Sequence, residues 1–107
     1  KAGDTFAMLG DAVVTGLDLG DLQITTRVNG ELLSQGQSLT MINNPARLVC
    51  YLSRYMTLRP GDLIYTGAIA PEPGMRRNLE VGDVVEVAVE GIGSMEQEVI
   101  DMPAWPY

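Results

Sequence analysis

The chain has 107 residues, 46% of them hydrophobic, with a formal net charge of −7 and no histidine. A chain of this length suits one small domain, and its acidic balance argues against nucleic acid or an anionic membrane surface as a partner. No apolar run approaches a membrane span, nothing near the first residue reads as a signal peptide, and the commonest general base is missing. The single cysteine, Cys50, has no internal disulfide partner, so a reducing, cytoplasmic setting is expected.

The chain opens on KAGDTF without an initiator methionine, and a piece of a longer protein is expected. AVVT, residues 12–15, reads as a short strand ended by Gly16. LQITTRV, 22–28, alternates apolar Leu22, Ile24 and Val28 with polar Gln23, Thr25 and Arg27, which is the period of a strand with one wet face. Asn29-Gly30 is the strongest two-residue hairpin signal, and a partner strand is predicted over about 31–34.

The spacing predicts the main helix over residues 44–56. Asn44 caps it and Pro45 occupies the first helical position, where its missing N–H is not needed. Leu48, Leu52 and Met56 form an apolar stripe expected to lie against the sheet, and Pro60 stops the helix. Further strands are predicted over about 62–66, 83–89 and 95–100, the last two joined through Gly91-Ile92-Gly93. Pro60-Gly61-Asp62 and Val81-Gly82-Asp83 read as turns feeding strands, with glycine at positive φ. The tail MPAWPY is proline-broken and expected along the surface. One helix among antiparallel strands predicts a β-rich α+β domain.

Few residues suggest chemistry by pattern alone. Glu96 and Glu98, at i and i+2 on a strand with Asp101 nearby, have the spacing of a cation chelate, but two carboxylates are too few and a solvated edge is the better reading. Arg76-Arg77 could clamp an anion, yet loop solubility explains the pair. Cys50 has no histidine to activate it, and Tyr51 and Tyr55 read as amphipathic helix residues. Lys1 is an ordinary surface cation on composition, and Thr66-Gly67 an ordinary strand end.

Four segments, taken in order, resemble the fumarylacetoacetate hydrolase family. They are KAGDTFAMLG (the family's KG-x-DTF segment), TTRVNGELLSQGQSLTMI, NPARLVCYLSRYMTLRPGDLIYTG and LEVGDVVEVAVEGIGSM. The resemblance implies a mixed-sheet, roll-like catalytic domain, usually dimeric. It also implies a divalent cation, Mg2+ or another such as Ca2+ or Mn2+, and a small-molecule substrate with a 2-oxo acid or 1,3-diketone unit. On this resemblance residues 1–107 form the C-terminal portion of one catalytic domain. Lys1 matches the family lysine that stabilises negative charge on the substrate, Thr66 the threonine that binds a substrate carboxylate or oxo group, and Gly67 the glycine beside it.

Two departures stand out: TGAIAPEPG stands where the family continues TGTP-x-G-V, which bears on substrate choice, and KAGD shifts the glycine of KG-x-D by one place. The family's Glu-x-Glu pair, its later Asp and its His–Glu pair precede the lysine. The metal ligands are therefore expected outside this chain, Glu96 and Glu98 are not promoted to that role, and the fragment alone is expected to be inactive. The implied reaction is carbon–carbon cleavage of an acylpyruvate-like substrate. The alternatives are a decarboxylase, isomerase or hydratase of the same family, or a β-rich binding module with no chemistry.

Overall fold

The Asn-Gly and Gly-Ile-Gly turns each fold a hairpin, and the two hairpins join side by side into one sheet. The computed structural model describes residues 6–71 and 73–101. Its strands are β1 (Gln23–Val28), β2 (Glu31–Gln37), β3 (Val84–Val89) and β4 (Gly93–Glu98), in the order β2-β1-β3-β4. Every described pairing is antiparallel. With the helix α1 (Pro45–Leu52), this is the β-rich α+β arrangement expected. The tail 102–107 lies outside the described residues.

The alternation in the sequence sorts the two faces. Across the β1–β3 register Ile24, Thr26 and Val28 stand beside Val89, Val87 and Val85, and Met95 of β4 continues the row from Val87. Thr25, Arg27, Ala88, Glu86 and Glu96 point the other way. An irregularity at Thr26/Arg27 shifts the β1–β2 register, so that Thr26 faces Ser34 while Arg27 faces Leu32. Such a bulge strengthens the local twist. Among the described residues Val28, 1% exposed, is the only buried apolar side chain.

Both Gly-Asp pairs close turns by the same device. Gly61 and Gly82 take φ of 98° and 91°, as the third position of a type II turn requires. Asp62 N donates to Arg59 O while its carboxylate accepts from Arg59 N at 2.7 Å. Asp83 repeats this with Glu80, at 3.0 and 2.9 Å.

Asp62 stops there, whereas Asp83 is 7% exposed and takes two further donors. Asn29 Nδ2 donates at 2.7 Å, and Arg77 makes an ion pair at 2.7 Å. Asn29, at φ 52°, also accepts from Val84 N through its Oδ1 and donates its own N–H to Val84 O. The hairpin asparagine thus ties the β1–β2 turn to the start of β3.

Three expectations are corrected. Residues 62–66 form no strand: their backbone has no ladder partner among the described residues, because β3 is flanked by β1 and β4. Residues 12–15 are likewise unpaired, with Val13 88% exposed.

The helix is the third case. Asn44 Oδ1 does accept from Arg47 N at 2.8 Å, with Pro45 in the first turn, but the regular helix ends at Leu52. Ser53 Oγ donates to the Cys50 carbonyl there, and only irregular turns continue to Met56. None of its residues is buried: Leu48 and Leu52 are half-covered and Met56 is exposed, because no described strand makes an extensive contact with the helix.

The Asp83 carboxyl is held below its ordinary 3.8, first by the Glu80 N–H, then by Asn29, and, against the opposing effect of burial, by Arg77. A carboxyl depressed in the folded state contributes stability above its unfolded value, and that contribution is lost as pH falls through the folded one. Asp83→Asn is therefore expected to melt at a lower temperature than the parent at pH 7. The gap should narrow as pH falls below the ordinary aspartate range, measured by parallel thermal melts across acid pH.

Candidate functional site

Thr66 and Gly67 leave the segment that follows the Arg59–Asp62 turn. Both are exposed, and Gly67 has φ 107°, a backbone region open to glycine and costly for other residues. The hydroxyl and the bare backbone suggested by the sequence are thus presented together at the surface. Lys1 lies outside the described residues, so its side chain is not placed.

What the structure does bring together is Met8 and the residue before Thr66. Tyr65, one residue before Thr66, donates its hydroxyl to the carbonyl of Met8 at 3.1 Å. Met8 is thereby held against the segment that carries Thr66, across 57 residues of sequence. Beyond Gly67 the chain passes back to β2, where Ile69 lies against Gly36.

A cleft of about 170 Å³ lies between Gly10–Ala12 and the apolar face at Val87, Val89 and Met95. An open depression of about 450 Å³ on the other face is lined by Gln23, Thr25, Ala88 and Glu90. Neither cavity includes Thr66 or Gly67.

The other candidates resolve simply. Glu96 and Glu98 are exposed on one face of β4, with Glu86 opposite Glu96. No group of three or more Asp, Glu, Cys or His able to hold a metal ion occurs among the described residues. Arg77 is engaged with Asp83, and Arg76 is exposed. Cys50 is exposed, not set among packed apolar side chains. Tyr51 and Tyr55 pack on each other with ring centroids 5.1 Å apart.

Sequence reasoning missed the Asn29–Asp83–Arg77 network and the Tyr65–Met8 bond. The only signals were the Asn-Gly and Gly-Asp dipeptides, which mark turns without saying that two turns meet. Among the described residues no helix is long and apolar enough to cross a membrane.

Comparison with known proteins adds to this geometry. The profile described as Fumarylacetoacetate (FAA) hydrolase C-terminal matches residues 1–100. The chain is 38% identical over 109 residues to 2,4-didehydro-3-deoxy-L-rhamnonate hydrolase of Sphingomonas sp., covering 92% of this chain and 37% of that one. It is 36% identical to a mitochondrial oxaloacetate tautomerase of Rattus norvegicus, covering 94% and 34%. The fold is similar to the crystal structure of 5-carboxymethyl-2-hydroxymuconate delta-isomerase from Mycobacterium smegmatis, with a TM-score of 0.73, 38% identity, and coverage of 82% of this chain and 34% of that one. The chain thus spans little more than a third of the length of these relatives.

Tyr65→Phe removes only the donor to Met8. An exposed neutral hydrogen bond of this kind contributes at most about 1 kcal/mol, and a loss of that order is expected in urea unfolding. Amide exchange should quicken in residues 6–9 and 64–67 and stay unchanged in β1 and β3.

Proposed function

Because the chain belongs to the fumarylacetoacetate hydrolase family, we propose that it is part of a divalent-metal-dependent hydrolase that cleaves a carbon–carbon bond in an acylpyruvate- or fumarylacetoacetate-like substrate. The observation that supports this reading is the family match over residues 1–100, to which the Tyr65–Met8 bond adds that Met8, seven residues after Lys1, lies beside the residue before Thr66. In this reading the Lys1 ammonium and the Thr66 hydroxyl face one ligand, with the Gly67 backbone close by. The assembly is a cytoplasmic homodimer acting on a small 2-oxo acid.

The chemistry follows from the substrate class. A water oxygen adds to the distal carbonyl carbon of a 2,4-diketo acid, giving a tetrahedral oxyanion. The carbon–carbon bond then breaks, its electron pair passes into the enolate of the 2-oxo acid, and the proton given up by the water is returned to the enolate's C3 carbon. Negative charge grows on oxygen at both stages. An ammonium placed there is felt most in the transition state. A threonine hydroxyl donating to the carboxylate end acts equally before and during the reaction, so it contributes to binding.

The described residues do not fit a divalent cation, since they supply no set of three ligands. The Mg2+, Ca2+ or Mn2+ of this reading is therefore assigned to ligands outside them. A second reading is favoured by the relatives named as a tautomerase and an isomerase: the same lysine and threonine would stabilise an enolate without bond cleavage.

The test is turnover of acylpyruvates by the full-length protein with added Mg2+ or Mn2+. Loss of the diketone absorbance with release of two acids supports the hydrolase. Interconversion of keto and enol forms without fragments supports the second reading, and no turnover of any 2-oxo acid favours a non-catalytic module. Lys1→Met is expected to lower kcat by about 10²-fold or more, and Thr66→Val mainly to raise KM. The double variant Glu96→Gln, Glu98→Gln should leave Mn2+ affinity, measured by titration calorimetry, unchanged.

A further inference from the structure

The stretch that departs from the family's pattern, Ala68-Ile69-Ala70-Pro71, immediately follows Thr66-Gly67 and is held to the sheet at one point. Ile69 lies over Gly36 of β2: a Cβ built on that glycine would come within 3.1 Å of Ile69 Cδ1 and 3.2 Å of Cγ2. Gly36 has an ordinary backbone conformation, so close approach explains the absence of a side chain there, not turn geometry. Gly36 shares a face with Ser34, Thr26 and Ile24 through the β1–β2 register. Ile69 is half-buried, whereas Ala68, Gly67 and Thr66 on one side and Ala70 on the other are exposed. Tyr65 is fastened on the other flank by its bond to Met8. Thr66 and Gly67 therefore bridge two anchors, one at Tyr65 and one at Ile69.

We propose that Ile69, seated in the space left by Gly36, is a positioning residue that fixes Thr66 and Gly67 relative to the sheet and thereby sets how the carboxylate end of a 2-oxo acid is held. The substrate part of this inference rests on the function proposed above, and the positioning part does not. A short span fixed at both ends has few conformations, so its hydroxyl needs little ordering when a ligand arrives. Release of one anchor restores that freedom. The loss then falls on binding, because the contact is made alike in ground and transition states.

The experiment uses the full-length protein with three variants, Ile69→Ala, Ile69→Val and Gly36→Ala. Hydrogen exchange of the amides of residues 66–70 is expected to quicken about tenfold in Ile69→Ala, while β1, β3 and β4 stay unchanged. With an acylpyruvate as substrate, KM should rise about tenfold with kcat within about twofold, and Ile69→Val should recover most of the loss. Gly36→Ala pushes Ile69 outward and should raise KM in the same way with β2 intact. Unchanged exchange at 66–70 overturns the inference whether or not the protein turns anything over. Faster exchange with an unchanged KM overturns its substrate part. If the parent protein turns over no 2-oxo acid, the proposed function fails and the exchange measurement still decides the positioning.

Discussion

A carboxylate at 7% exposure must find donors, and the way Asp83 finds them organises the sheet. One donor is local, the Glu80 N–H of its own turn. The other two come from elsewhere in the chain: the Asn29 amide at the tip of the first hairpin and the Arg77 guanidinium on the approach to β3. A buried charge left with fewer partners would be costly, so this acid holds the hairpin tip, the loop and the start of β3 in one arrangement. The β4 end joins them through the backbone, since Val99 N donates to Asp83 O and Gly82 N to Val99 O. The register of the central pair β1–β3 follows from a polar contact at its end as much as from the valines along it.

Local chemistry explains which elements were legible in the sequence. Asn29-Gly30 and Gly91-Ile92-Gly93 carry their turn geometry in their own residues, and Asn44-Pro45 carries a helix start. Residues 62–66 have the composition of a strand, but a strand also needs a neighbouring backbone, and composition does not name one. The same holds for the helix stripe: Leu48 and Leu52 recur at the right interval, yet what covers them is a question about other parts of the molecule. Nothing in either dipeptide shows that Asn29 meets Asp83. For the candidate site, pattern alone stopped at a strand end, and it was the likeness of whole segments to a family that singled out Thr66 and Gly67. Their tether through Tyr65 to Met8 was visible only in three dimensions.

The apolar surface speaks to the same dependence on other parts. Stable domains pack layers against each other, and the described residues supply one sheet with a helix that buries none of its residues. Ile42, Leu63, Tyr65 and Val81 are all more than 60% exposed. The relatives are far longer, with this chain spanning 37% of the 2,4-didehydro-3-deoxy-L-rhamnonate hydrolase it matches. Surface of this composition is suited to a second layer.

The strand order β2-β1-β3-β4 separates two kinds of chain. Each hairpin closes on itself within a few residues, whereas the central pairing joins Gln23–Val28 to Val84–Val89 across everything between them. Closure entropy grows only with the logarithm of the spanned length, so the long excursion from Ser38 to Asp83 weighs little on equilibrium stability. It weighs heavily on folding rate, because the hairpins form early and their union waits for a distant encounter. Added length in that excursion, away from the Arg77–Asp83 pair and the Ile69 contact, is therefore thermodynamically cheap. The connection can lengthen there while the sheet keeps its register.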